Sequence, residues 1–321
     1  MKKLKPFVSV LIFLVFSTHV YGQKASSHSS GQEELETILK KCAEYCERLS
    51  NSVLFFVCKE KITEKISSRS VSMPKDLAPS ARVYTSTVKR VYVYDYQLYR
   101  KGTDIKEQRT LIEENGKKKH EENAPLKTRV FRHENIVLGP IGLLSAHWQA
   151  FHDYKILKEE KFKGDKAIVI EAVLKPEHTF HHLSGKVWMR KSDFSILKIE
   201  WLQHSIRGYE RVEETAKELG AKPHLTLLAE YGFEKNGIRF PSKYSLDEDY
   251  IYRGRRRFQQ SKTVVLYDDY KFFTVETEHV IKKGETTLGK LFQYSDSIKL
   301  LRRRTVTRHF YGSLASQFYI G

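Results

Sequence analysis

Three histidines within six residues, in Glu177-His178-Thr179-Phe180-His181-His182, form the densest set of metal-type donors in the chain. Imidazole nitrogens suit borderline ions such as zinc when three or four of them converge. Here the cluster falls in a hairpin between two strand patterns, with no helix to align its donors and no further ligand group elsewhere. It reads as a polar loop, and no metal or other cofactor is assigned. His147, in Leu143-Leu144-Ser145-Ala146-His147-Trp148-Gln149, is the best-placed base for nucleophilic chemistry. Beside a Trp on a helix, it reads as packing. Asp268-Asp269 reads as a turn, and Asp247-Glu248-Asp249 as a solvated or strand-end cluster. No nucleophile elbow, phosphate-binding glycine loop or metalloprotease helix signature occurs. The chain is therefore expected to bind rather than to catalyse.

The binding signal lies in aromatic and apolar strand faces. Tyr92, Tyr94, Trp188, Ile199, Trp201, Leu227 and Phe272 would line one concave surface if the strands form a curled sheet, and a helix over 142–152, carrying Trp148, would lie across it as a lid. Burying an acyl chain there gains about 0.8 kcal/mol per methylene, so such a groove needs no exact polar constellation to hold lipid. The competing expectation is that the same faces form a filled core, which would make the chain a protein-interaction or sensor module with no small ligand.

The elements that must position these residues follow from periodicity. Leu35, Ile38, Leu39, Cys42, Tyr45, Cys46 and Leu49 make one stripe of an amphipathic helix from Glu33. Val53 to Ile66 changes to a period of two, and Arg82 to Arg100 is a long strand pattern rich in Tyr, Val and Thr. Hairpin turns are expected at Asn115-Gly116, Lys163-Gly164-Asp165 and Asn236-Gly237. Further strands are expected over 104–114, 128–133, 154–162, 167–175, 185–190, 195–204, 225–234, 238–252, 261–268 and 271–281. A second helix covers 209–219, closed by Gly220. The fold class is mainly β (α+β): a large curved antiparallel sheet or half-barrel with an N-terminal helix and a helical lid, spanning 33–284. A flexible leader over 23–32 precedes it, and a basic, aromatic tail over 285–321 follows.

Residues 1–22 have the form of a secretory signal peptide, with Lys2, Lys3 and Lys5 ahead of an apolar run and Val20-Tyr21-Gly22 before the cleavage point. The run is too short to span a bilayer of about 30 Å, so a periplasmic location is expected. Removing it takes three Lys and no acid from a chain of formal charge +17, leaving +14. This excess favours anionic partners, and export turns the expectation from nucleic acid towards an anionic membrane surface. In such a compartment Cys42, Cys46 and Cys58 invite one disulfide. A helix rises about 1.5 Å and a strand about 3.3 Å per residue, which matches Cys58 to Cys42 better than to Cys46. The alternative is three reduced core thiols.

Gly185 to Trp201, GKVWMRKSDFSILKIEW, resembles the strand-turn-strand element of the LolA/LolB lipoprotein-carrier superfamily, which is related in fold to RseB, and the strands from Gly164 to Leu174 fit the same pattern. Asp95-Tyr96, Arg109 to Ile112, Gly139 to Leu144, Glu234 to Ser242 and Tyr270 to Phe273 are more closely similar to a family of uncharacterised exported bacterial proteins, a likeness that implies no activity of its own. The carrier resemblance implies a half-open antiparallel barrel with a helical lid over an apolar cavity that takes acyl chains of lipid or lipoprotein. Arg190 stands where the carriers usually have Asp, and none of the carriers' functional residues falls on a matching position.

Overall fold

The computed structural model describes residues 24–52, 55–72, 82–101, 104–132, 136–178, 180–253 and 256–273. Residues 1–22, expected to be a signal peptide, and the tail expected over 285–321 lie outside the described residues. A long helix, α1 (Lys24–Ser52), leads into β1 (Phe55–Ser72), β2 (Arg82–Lys101), β3 (Asp104–Glu114) and β4 (Lys117–Glu121). A 3-10 turn at Ile136–Leu138 and two short helices, α2 (Gly139–Leu144) and α3 (Ala146–Gln149), separate these from β5 (His152–Phe162), β6 (Asp165–Leu174), β7 (Gly185–Arg190) and β8 (Ile196–Trp201). After α4 (Tyr209–Glu218) come β9 (Lys222–Glu230), β10 (Phe233–Lys235), β11 (Ile238–Phe240), β12 (Lys243–Ile251) and β13 (Arg257–Phe272).

Eleven strands make one antiparallel sheet in the order β4-β3-β2-β1-β13-β12-β9-β8-β7-β6-β5, and β10 and β11 form a separate hairpin. The sheet is not closed into a barrel, since β4 and β5 are its two edges. The expected hairpin turns are present. Asn115/Gly116, Lys163/Gly164 and Asn236/Gly237 all take positive φ at both positions, the conformation that matches the twist of the strands they join.

Each strand of a one-sided sheet must choose a face. In β1, Phe56, Cys58, Glu60, Ile62 and Glu64 are buried on the inner face, while Lys59, Lys61 and Lys65 are exposed on the outer one. Two carboxylates therefore enter the core. Glu60, fully buried, accepts from Arg109 Nε at 2.7 Å and Nη2 at 3.2 Å, and from Tyr267 Oη at 3.0 Å. Arg109 also donates to Glu107 at 3.1 Å, and Glu107 accepts from Tyr96 Oη at 2.7 Å. Ionised groups persist in such a place only when every partner is present. The network ties β1, β2, β3 and β13 into one register.

Glu64 has a different role. Its carboxylate accepts the backbone N–H of Arg129 at 2.9 Å and of Val130 at 2.8 Å. The stretch 128–133 expected as a strand is irregular in its described part, because these amides are satisfied by a side chain instead of a neighbouring strand.

Other boundaries differ as well. Pro241 cannot donate to a ladder, and the expected strand 238–252 breaks there into β11 and β12. The two strands expected over 261–281 are one, β13, as far as Phe272, with Asp269 at positive φ inside it. Helix α1 begins at Lys24, within the stretch whose composition reads as a leader.

Replacing Arg109 by Met would strand the Glu60 charge. A loss of roughly 3–5 kcal/mol in urea unfolding is expected, with much of it recovered in Arg109→Met/Glu60→Gln. A cost under about 1 kcal/mol would show that the pair does not hold the sheet together.

Candidate functional site

The inner face gathers most of the residues that the strand patterns single out. Tyr92, Tyr94, Trp201 and Leu227 all belong to the main core cluster and are 0–6% exposed. Phe272 is half-buried at one end, among Phe56, Phe233, Phe240 and Tyr270, with ring centroids 4.9–6.0 Å from it. Trp188 does not share this face. Val187 and Met189 point inward, fully buried, so Trp188 between them points outward and packs with Ala167, Val169 and Leu197 under the Lys198 ammonium, 4.0 Å above its ring. A run of three apolar residues leaves the phase of the alternation open, and pairing to β6 and β8 decides it.

Among the described residues two helical elements cover the inner face, beside the β10–β11 hairpin and the 124–131 stretch, whose Ile238, Phe240 and Phe131 join the same core. The first is α1, whose Ile38, Cys42, Tyr45, Cys46 and Leu49 are 0–2% exposed. Tyr45 Oη accepts the Arg239 backbone N–H at 3.1 Å, fixing the helix to β11. The second is the segment Ile136 to Gln149. It starts six residues before the expected lid over 142–152 and ends three before it, breaks at Ser145 between α2 and α3, and gives way to β5 at His152.

All nine residues from Ile136 to Leu144 are buried. A Cβ on Gly139 would lie 2.7 Å from Tyr231 Oη and 3.4 Å from Trp201 Cζ2, so the backbone here approaches the sheet as closely as only glycine permits.

Side chains from several elements hold the backbone carbonyls of this segment. Tyr231 Oη donates to Ile136 O at 3.1 Å, Cys46 Sγ to Pro140 O at 3.5 Å and His182 Nε2 to Gly142 O at 2.7 Å. Tyr154 Oη donates to Leu143 O, and Gln149 Nε2 donates to both Leu144 O and Leu39 O at 2.7 Å. Beyond α2, Trp148 stacks on His182 with centroids 3.8 Å apart and also touches the rings of His147, Phe151, His152 and Phe180. Trp148 Nε1 and Ser145 Oγ are buried without a hydrogen-bond partner in the protein.

Of the histidine run, His178 and Phe180 join this aromatic group, His182 is buried in it and His181 is exposed. Among the described residues no three His, Cys, Asp or Glu converge as a metal site. Burial lowers the pKa of His182 to about 4, with the neighbouring His152, His181 and His147 adding to the effect and the Gly142 hydrogen bond opposing it.

The cysteines correct the expected bridge. Cys42, Cys46 and Cys58 are all free and buried. Cys42 Sγ donates to Met189 Sδ at 3.6 Å and Cys46 Sγ to the Pro140 carbonyl of α2, and Cys58 is a free thiol in the core, so Cys42 and Cys58 are not bridged. Burial pushes the Cys42 thiol up to about 12 and raises Cys46 and Cys58 further, Cys46 aided by nearby Cys42 and Cys58 by Glu60.

No protein-family model matches the chain, and no curated protein matches it. Among solved structures it is similar to a domain from Vibrio parahaemolyticus named for outer membrane lipoprotein sorting, at 14% identity and TM-score 0.34, over 76% of this chain and 95% of that one. It is also similar to a LolA superfamily protein from Nitrosomonas europaea, at 15% identity and TM-score 0.29, over 75% and 94%. A third is a DUF1329 family protein from Desulfovibrio piger, at 12% identity and TM-score 0.33, over 74% and 95%.

Thiol titration tests the cysteine assignment. No reaction is expected in the folded protein at pH 8 and three equivalents on denaturation without reductant; one equivalent would restore the Cys42–Cys58 bridge. The depressed His182 pKa makes a second expectation. The unfolded imidazole takes a proton near pH 6.5 while the folded one stays neutral down to about 4. Its contribution is whole above pH 6.5 and is lost as pH falls towards 4, by about 3 kcal/mol at most. Denaturation midpoints of the wild type and His182→Gln should converge over that window, and parallel curves would refute it.

Proposed function

We propose that this chain is a non-enzymatic, carrier-type binding protein of the bacterial envelope, whose inner sheet face takes an acyl chain of a lipid or lipoprotein in the place that the segment 136–149 occupies here. The observation that carries the reading is the way this segment is held. Its side chains are apolar like an acyl chain, but its six-residue helix α2 is too short to be stable alone. It adds no strand to the sheet and is pinned by single side-chain donors to its carbonyls. Each such bond contributes about 0.5–1.5 kcal/mol net, whereas an acyl chain of about 14 methylenes gains about 11 kcal/mol on burial. That gain offsets part of the cost of exposing the apolar side chains of the displaced segment. The unpartnered Trp148 Nε1 and Ser145 Oγ sit at the α2–α3 junction, and each such buried group costs about 1–3 kcal/mol, which lowers the cost of lifting the segment further.

A second reading, an envelope interaction or sensor module with a filled core, has its own observation: Tyr94, Leu227 and the α1 stripe are closed from solvent by the protein's own side chains.

The two readings part on Tyr154→Phe/Tyr231→Phe, which removes two of the hydroxyl ties. Under the first, the closed form weakens and native mass spectrometry after incubation with a long-chain phospholipid should show a 1:1 adduct whose affinity rises roughly fivefold per hydroxyl, at about 1 kcal/mol each. Apo masses for both wild type and variant, with only a lower melting temperature in the variant, would sink the acyl-chain reading in favour of the interaction module.

A further inference from the structure

The face opposite the candidate site carries a charge pattern that the inner face does not use. Strand β1 reads Lys59-Glu60-Lys61-Ile62-Thr63-Glu64-Lys65, and alternation sends both acids inward, to 0 and 1% exposure, and the lysines outward. Lys65 stands directly opposite Lys89 of β2 on one side and Lys262 of β13 on the other. Directly opposed residues have Cβ atoms about 4.5–5.5 Å apart, where like charges destabilise a sheet.

Lys262 has a counter-ion, Asp247 at 3.1 Å. Lys61, Lys65 and Lys89 are exposed and make no ion pair among the described residues. One row along, half-buried Val264 lies across from Thr63; in the next, Lys61 is opposite Leu266, which is 44% exposed. Opposed lysines beside one exposed leucine cost stability unless something outside supplies both anions and an apolar layer.

We propose that this outer face docks the protein on an anionic lipid bilayer, with Lys61, Lys65 and Lys89 at the phosphates and Leu266 at the boundary between headgroups and acyl chains. Charge complementarity and the exposed leucine together select this occupant: a bilayer offers both chemistries over a broad surface, whereas an acidic peptide offers only the first. The inference concerns the opposite side of the sheet from the acyl-chain site and stands whether or not that site binds lipid.

The test is vesicle flotation of the protein recovered from the periplasm after export, with vesicles of phosphatidylcholine and phosphatidylglycerol at roughly 2:1 and of phosphatidylcholine alone. A lysine near an anionic surface is worth about fivefold in partitioning, from about 1 kcal/mol. Lys61→Gln/Lys65→Gln/Lys89→Gln should therefore lower binding to the anionic vesicles at least tenfold at low salt, with an unchanged melting temperature. The control Lys40→Gln/Lys41→Gln/Lys217→Gln removes the same charge from exposed positions of α1 and α4 and should lose far less. Equal losses in the two triple variants would place the attraction in overall charge, and wild-type binding that is the same on pure phosphatidylcholine would show that it is not electrostatic; either result overturns the proposal. An acidic peptide that binds the wild type more tightly than the anionic vesicles do would likewise replace the bilayer as the occupant.

Discussion

The buried pairing of Glu60 with Arg109 is the constraint on which the rest of the sheet depends. An ionised carboxylate with no exposed surface is tolerable only beside a guanidinium that meets both of its oxygens, and Arg109 does so with Tyr267 as a third donor. Because those partners sit on β3 and β13, flanking the β1–β2 pair, a slip of β1 by one residue would put Lys59 or Lys61 inside and Glu60 in water. The ion pair thus gives common register to β1, β3 and β13, strands that lie far apart in the sequence. The cost of desolvation is matched by specificity, and the same alternation carries Glu64 inward to hold the amides of Arg129 and Val130.

An open sheet of eleven strands with one apolar face has to cover that face, and this chain does so with two covers of unequal strength. Helix α1 is long, applies a continuous stripe and is locked through Tyr45 to β11. The segment 136–149 is short, kinked at Ser145 and held at its carbonyls by side chains that reach it from α1, β5, the β9–β10 connection and the loop before β7. Opening such a cover breaks isolated bonds and leaves every ladder of the sheet intact, which is the mechanical condition for exchanging a segment for a ligand without unfolding.

The strand order of the fold was partly legible because its local signals are strong. Asn-Gly and Lys-Gly pairs at positive φ mark three hairpins, and the 209–218 helix is closed by Gly220 at φ +59. What was not legible depends on partners distant in sequence. Trp188 could be placed inward or outward until its pairing with Lys198 was known. The stretch 128–133 has strand composition, yet its amides are taken by a carboxylate about 65 residues earlier. The bridge expected from helix and strand rises failed because apolar burial satisfies a thiol as well as oxidation does. The residues that hold the inner cover, Tyr154, Tyr231, Gln149 and His182, left no motif. The one available sign of the core network was the run Lys59 to Lys65, in which acids and bases alternate with the period of a strand.

That period also explains how the two proposed binding surfaces can share one sheet. Successive side chains of a strand face opposite ways, so β1 supplies Glu60, Ile62 and Glu64 to the core and Lys61, Thr63 and Lys65 to the outer face without either set touching the other. The inner carboxylates take their hydrogen bonds within the core, from Arg109 and from backbone amides, so neither forms an ion pair with the outer lysines. Burying the acids is therefore what leaves the lysines uncompensated, and the constraint that sets the register of the core also sets the charge of the surface.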